Sequence, residues 1–135
     1  MYTLHIDDLD GTDRDVQEPN WRSRRMVLAQ EKVGFSLHET TIHAGTSSEF
    51  WYAHHVEAVY CVGGRGRLTD LGTDEVHEVS DGFLYLLDGH EKHRLEADEE
   101  MRMVCVFTPP VTGREVHDEN GVYPLIVEDG AGPEA

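Results

Sequence analysis

The chain reads as an all-β sandwich or barrel, and three observations lead there. Apolar and polar residues alternate with a period of two in short runs. Glycine, aspartate and serine punctuate those runs at close intervals. No window of about a dozen residues keeps the i, i+3, i+4 apolar face of a helix. Short strands in such close succession bury their inward side chains only by facing a second layer or by closing on themselves.

Taken in order, residues 10–20 (DGTDRDVQEPN) are polar and lead into Trp21. The strand signals are SRRMVLAQ, GFSLHETTIHAG, VEAVYCV, GRLTDL, DGFLYLL and MRMVCVF, each rich in β-branched, aromatic or long apolar residues. Turn chemistry at Gly63-Gly64, Leu71-Gly72-Thr73-Asp74, Asp81-Gly82 and Asp88-Gly89 separates them. LYLLDGHEKH reads as a hairpin, which sets Tyr85 near the end of one strand opposite His93 at the start of the next. After Phe107, TPPVTGREVHDENGVYPL has little periodicity and reads as a loop-rich C-terminal flap with one helical turn near Arg114. Residues 1–125 form one domain including the flap, and 126–135 (IVEDGAGPEA) are expected to be a flexible tail.

Composition narrows the function classes. The 135 residues suit one domain, with 11 Lys+Arg against 27 Asp+Glu and a formal net charge of −16. That balance argues against nucleic acid and against an anionic membrane surface, both of which need a basic footprint. The acid residues are dispersed, as on a solvating, self-repelling surface. The first residues (MYTLHIDDLD) lack a basic and an apolar signal region, and no apolar stretch approaches the roughly 18 residues of a membrane span. Cys61 and Cys105 each lie inside an apolar run, as buried thiols of a reduced protein. A cytoplasmic location is the expectation.

The stretch YAHHVEAVYCVGG holds the first concentration of chemistry. Adjacent strand residues face opposite ways, so His55 shares the inward parity of Glu57, Val59 and Cys61 while His54 faces solvent. A bulge around Ala53 would be needed to bring Tyr52 to the same side. His90 lies at the hairpin tip and is expected to be solvated. His5, His38, His43 and His77 read as strand or surface residues without an assigned role.

The spacing resembles the cupin double-stranded β-helix, or jelly-roll barrel: Glu57 with Gly64 after six intervening residues, then Gly82 with Tyr85 after two intervening residues, then His93. The usual cupin histidines are missing near Phe50 and Tyr52, and Tyr85 stands where a histidine belongs. In this form, and across GTDRDVQ, NWRSRR, GFSLHETTIHAGT, HHVEAVYCV and MRMVCVFTPPVTGREVHDENGVYPL, the chain resembles the ectoine synthase family. That resemblance implies a metal, Fe(II) or another divalent ion, held by Glu57, Tyr85 and His93. A mixed oxygen and imidazole set with open positions suits such an ion. It further implies a homodimer and ring closure of N4-acetyl-L-2,4-diaminobutyrate to ectoine, a compatible solute, with loss of water. On matching positions, Tyr52 and His55 are acid–base candidates and Arg25 a clamp for the substrate carboxylate. Trp21 and Phe107 are apolar walls, and Thr40 is a polar contact. Glu115 and His117 would grip the ammonium end and move protons; being two apart, they share a side in an extended segment.

The chain departs from the family in two places. GGRGR is basic where acidic residues are usual, and SEFW lacks histidines common there. Two alternatives remain at this stage. Another small cupin enzyme, an isomerase or an Fe(II) oxygenase, is one; an oxygenase ordinarily uses two histidines and a carboxylate, and only one histidine is in the candidate trio. The other is a non-catalytic ligand-binding cupin, for which a reporting partner domain would be diagnostic.

Overall fold

The computed structural model describes residues 1–113. Within them ten strands run in the order β1 (Asp15–Gln17), β2 (Trp21–Val27), β3 (Ser36–Ile42), β4 (Ser47–Phe50), β5 (Val56–Gly63), β6 (Gly66–Asp70), β7 (Val76–Val79), β8 (Leu84–Leu87), β9 (His93–Ala97) and β10 (Met101–Thr108). Short 3-10 turns occur at Ile6–Leu9 and Ala29–Glu31. The all-β expectation holds, with each strongly alternating run becoming a strand. The C-terminal flap beyond Gly113 and the 126–135 tail lie outside the described residues.

The strands form a six-stranded sheet, β1-β2-β3-β10-β5-β8, and a four-stranded sheet, β4-β9-β6-β7. All pairings are antiparallel. The chain changes sheet between β5 and β6, where Gly64 has φ +89 and a Cβ would collide with the Glu100 carbonyl oxygen. Glycine is therefore required at that corner.

Alternation builds the core. On β10, Met101, Met103, Cys105 and Phe107 are buried while Arg102 and Thr108 are exposed. On β5, Glu57, Val59 and Cys61 are buried between the exposed Tyr60 and Val62. Apart from Glu57, these buried side chains join Ile42, Leu68, Leu87 and Leu95 in one cluster between the sheets. Each fully buried aliphatic, methionine or phenylalanine side chain among them contributes about 1.5–3 kcal/mol of hydrophobic stabilisation.

The outer face of the six-stranded sheet is held differently. Arg22 reaches Asp15 at 2.8 Å and Asp10 at 2.9 Å. Arg24 pairs with Asp7, Asp10 and Glu39, and Arg102 closes on the other oxygen of Glu39 at 2.6 Å. Several acid residues expected to be merely solvating are thus ion-paired, because β2 and β10 present arginines to them. Arg25, of the opposite parity, is turned inward and only 2 % exposed.

The hairpin expected at LYLLDGHEKH does not form. β8 pairs with β5 in the six-stranded sheet, whereas β9 pairs with β4 and β6 in the other. Residues 88–92 are a crossing between layers, and Tyr85 and His93 approach each other across the barrel. The strand partners, set by the inward faces of β5 and β6, override the local turn signal.

Candidate active site

The registers place inward side chains in rows across the larger sheet. One row runs Arg25, His38, Cys105, Val59, Tyr85. The next runs Ser36, Phe107, Glu57, Leu87. On the other flank, Ser23 is opposite Thr40, and Thr40 opposite Met103. Facing these rows from the smaller sheet are His93 and Leu95 of β9, with Phe50 at the end of β4.

Between the layers lies a narrow pocket of about 50 Å³. Its walls include Trp21, Thr40, Tyr52, Glu57, Tyr85, His93 and Phe107, so seven of the residues singled out in the sequence meet in one place. Aromatic rings form a collar. Tyr52 meets Phe107 edge-on at 5.1 Å and lies 5.9 Å from His93, and Tyr85 meets His93 at 6.2 Å. Arg25 and His55 are not part of the lining. They are buried alongside it, Arg25 with Nε 3.3 Å from Ser23 Oγ and His55 with its ring edge-on to Phe107 at 5.8 Å. Glu115 and His117 lie outside the described residues.

Tyr52 reaches the pocket without a bulge in a strand. β5 begins only at Val56, and Ala53–His54 form a turn, so the parity of residues 55–61 does not extend back to Tyr52. His54 is exposed and His55 buried, as parity requires. His90 is exposed but does more than meet solvent: its Nδ1 is 3.1 Å from the carbonyl oxygens of both Tyr52 and His55.

Burial sets the protonation states. The Glu57 carboxyl is pushed up to about 8 by removal from water, against which a hydrogen bond with the Cys105 thiol works weakly. Among the described residues no cation pairs with it. The Tyr85 hydroxyl is pushed well above its ordinary value, first by burial and then by Glu57. His93 is lowered by burial and is neutral, with Nδ1 3.1 Å from the Glu91 carbonyl oxygen. A carbonyl only accepts, so Nδ1 carries the hydrogen and Nε2 keeps its lone pair. The same logic applies to His55, whose Nδ1 is 3.0 Å from the Pro109 oxygen.

These features fit a divalent cation. A buried carboxylate lacking a positive partner, a buried phenol whose ionisation burial opposes, and an imidazole oriented by a backbone carbonyl are the donors an ion would complete. Among the described residues no three His, Cys, Asp or Glu side chains gather as a metal site, so this set depends on the tyrosine.

Sequence reasoning missed His38. It lines the pocket, is fully buried, packs on Phe107 at 5.3 Å, and its Nε2 has no hydrogen-bond partner. Burial first, then the charges of Arg25 and His55, push its pKa well below the ordinary value, so it is neutral. The signal was available: His38 is two residues from Thr40 and shares its face. Ser23 and Cys105 also line the pocket unforeseen, with Cys105 Sγ 3.6 Å from Thr40 Oγ1. Both cysteines are buried free thiols.

Two layers of antiparallel strands around a buried, mixed-donor pocket define a small cupin-type barrel. Low-identity likeness supports that fold alone: the polyketide cyclase RemF from Streptomyces resistomycificus superposes with a TM-score of 0.67 at 18% identity, over 89% of each chain. The family is more specific. The ectoine synthase family model matches residues 1–127, and the chain belongs to that family. It is 59% identical to the L-ectoine synthase of Saccharopolyspora erythraea over 96% of both chains. It is 62% identical to that of Nocardia farcinica over 93% of this chain and 96% of the relative. The crystal structure of ectoine synthase from P. lautus superposes with a TM-score of 0.85 at 48% identity, covering 95% of this chain and 92% of that one. Among the described residues no helix is long and apolar enough to cross a membrane.

Proposed function

We propose that this pocket closes N4-acetyl-L-2,4-diaminobutyrate to ectoine with loss of water, a carbon–oxygen hydro-lyase reaction that supplies a compatible solute in the cytoplasm under osmotic stress. The observation that carries this reading is the meeting of Glu57, Tyr85 and His93 beside Tyr52 and Phe107, in a chain of this family.

The reaction forms one C–N bond and breaks one C–O bond. The α-ammonium first gives up a proton, its nitrogen adds to the acetamide carbon, and the former carbonyl oxygen departs as water, leaving a cyclic amidine. Glu57, Tyr85 and His93 would hold the metal, Fe(II) or a similar divalent ion, which when bound supplies Lewis-acid polarisation of the amide oxygen. The chain's own residues do the rest. Trp21 and Phe107 are flat walls that favour a bent substrate and shed water, so less rotamer freedom is lost at closure. Trp21 also offers a π face to the cationic product. Thr40 and the neutral His38 present polar groups to substrate amide or ammonium hydrogens. Arg25, behind them, attracts the substrate carboxylate. His55, buried behind the lining with Nε2 as its basic nitrogen, is assigned to proton acceptance from the amine by family position, and the Tyr52 hydroxyl suits donation to the leaving oxygen. Glu115 and His117 are assigned to the ammonium end by family position alone.

The same reading includes a homodimer. On the outward face of β5 and the edge strand β8, Tyr60 stands opposite Leu84 and Ala58 opposite Leu86, with Tyr60, Val62, Leu84 and Leu86 exposed. An apolar sheet edge of this kind is ordinarily covered, and a second copy related by a two-fold axis would cover both edges at once. Sedimentation of Leu84→Arg as a monomer beside a dimeric parent would support it; a monomeric parent would remove it.

The test of function follows ectoine by NMR. Anaerobic protein loaded with Fe(II) is mixed with N4-acetyl-L-2,4-diaminobutyrate beside a Glu57→Ala variant. Product from the parent and almost none from the variant is expected. Product from both would discard the metal assignment, and product from neither, with iron bound, would discard the reaction.

A further inference from the structure

We propose that His90 is a positioning residue that locks together the two connections carrying the site. The inference rests on the assignment of Tyr52, His55, Glu57, Tyr85 and His93 to that site.

Residues 51–55 join β4 to β5, and residues 88–92 join β8 to β9. Both connections pass from one sheet to the other, so apart from a single bridge at Trp51 neither is held by a strand ladder. Yet the first contains Tyr52 and His55 and delivers Glu57, while the second follows Tyr85 and delivers His93. Their mutual placement decides the geometry of the pocket.

Three hydrogen bonds join them, and His90 is in each. Its Nδ1 lies 3.1 Å from Tyr52 O and 3.1 Å from His55 O, and its own carbonyl accepts from Trp51 Nε1 at 2.9 Å. Both Nδ1 partners are carbonyl oxygens, so Nδ1 carries the hydrogen and shares it across the turn at Ala53–His54. That turn brings two backbone acceptors close together, and one imidazole N–H satisfies both. His90 takes φ +57, the left-handed conformation that aims its side chain back at the neighbouring connection. Lys92 Nζ, 4.3 Å above the Trp51 ring, adds a second clasp. These contacts span 35 to 39 residues of sequence, so they tie together segments that are remote along the chain.

The substrate-binding groups of β2 and β3 do not depend on this lock. Loss of the lock should therefore slow the chemistry while leaving binding nearly intact. A displacement of about 1 Å in a catalytic group costs up to about a hundredfold in rate.

Two variants separate the donor from the backbone. His90→Gly accommodates the positive φ and removes the donor, whereas His90→Asn tolerates the same φ and keeps an amide N–H near the position of Nδ1. With Fe(II)-loaded protein and N4-acetyl-L-2,4-diaminobutyrate, His90→Gly is expected to lower kcat about ten- to a hundredfold with KM within about threefold. His90→Asn should recover most of kcat. Amide hydrogen exchange in His90→Gly should quicken within residues 51–57 and 88–93 only. The proposal is overturned by a Gly variant with parental kcat, by an Asn variant as slow as Gly, or by exchange that quickens across the whole barrel. A parent that makes no ectoine would overturn the functional reading instead.

Discussion

Glu39 and Glu57 are the same residue, 9 % and 5 % exposed, on strands of the same sheet, and they live in opposite electrostatic worlds. Glu39 sits on the outer face between Arg24 at 2.7 Å and Arg102 at 2.6 Å, and these partners outweigh its burial and hold its carboxyl below the ordinary value. Glu57 sits on the inner face with a thiol for company, and its carboxyl is pushed up to about 8. A buried acid with its counter-charge in place holds a fold together; one without it is free to take the role proposed above for Glu57. Parity also separates Arg22 and Arg24, which face outward to their acids, from Arg25, which is turned in beside His38.

The strongest break of this comparison is a matched pair of substitutions. Glu57→Gln copies the neutral form that burial favours, so metal-free stability near pH 6 should stay within about 0.5 kcal/mol while ectoine formation falls at least a thousandfold. Glu39→Gln should do the reverse, costing about 2 kcal/mol of stability, because two arginines lose their charged acceptor, with kcat unchanged. Thermal unfolding and turnover of both proteins decide the matter; a Glu39 variant that is stable but inactive would erase the distinction.

A pH series sharpens it. In metal-free protein the Glu57 carboxyl titrates near 8 folded against 4.5 as its reference value. The folded state therefore binds the extra proton between these values, and this group's stabilising contribution is full below about 4.5 and is lost as pH rises through 8. The slope is at most about 1.4 kcal/mol per pH unit. Asp15, held at about 2 by Arg22, has the opposite sign: its contribution is present above 3.8 and is lost as pH falls toward 2. Urea titrations of the metal-free parent from pH 7 to 8.5, above the range in which the lowered histidines His38 and His93 act with the opposite sign, should show the first decline, and Glu57→Gln should flatten it.

The smallest effect concerns His38. His38→Leu keeps the volume and removes the unpartnered Nε2, so KM for the diaminobutyrate substrate should rise about tenfold, roughly 1.4 kcal/mol, with little change in unfolding temperature. An unchanged KM would return His38 to the core.

Much of this was legible in the chain because alternation is a local signal. VEAVYCV and MRMVCVF announce β5 and β10 and the inward parity of Glu57 and Phe107. Three strands were missed for physical reasons. β1 has three residues, and in β4 and β7 (SSEF, VHEV) charged or polar residues break up a short pattern. The error at LYLLDGHEKH has another origin: a five-residue connection satisfies a hairpin and a crossing equally, and only the remote partners β5 and β6 choose between them. His38 was overlooked because Leu37, its neighbour, looks like the inward residue of GFSLHETTI. The register with Cys105 shows that the imidazole takes that place.

The crossing at 88–92 has one more implication. Glu57 and Tyr85 belong to the larger sheet and His93 to the smaller, so an ion shared by these three would rivet two leaflets that otherwise adhere through side-chain packing. Its capture and the cohesion of the barrel would then be a single linked equilibrium, in which every tenfold gain in free ion above its dissociation constant tightens the seam by about 1.4 kcal/mol. If the proposed ion is held there, its loss would loosen the vessel as well as idle the catalyst.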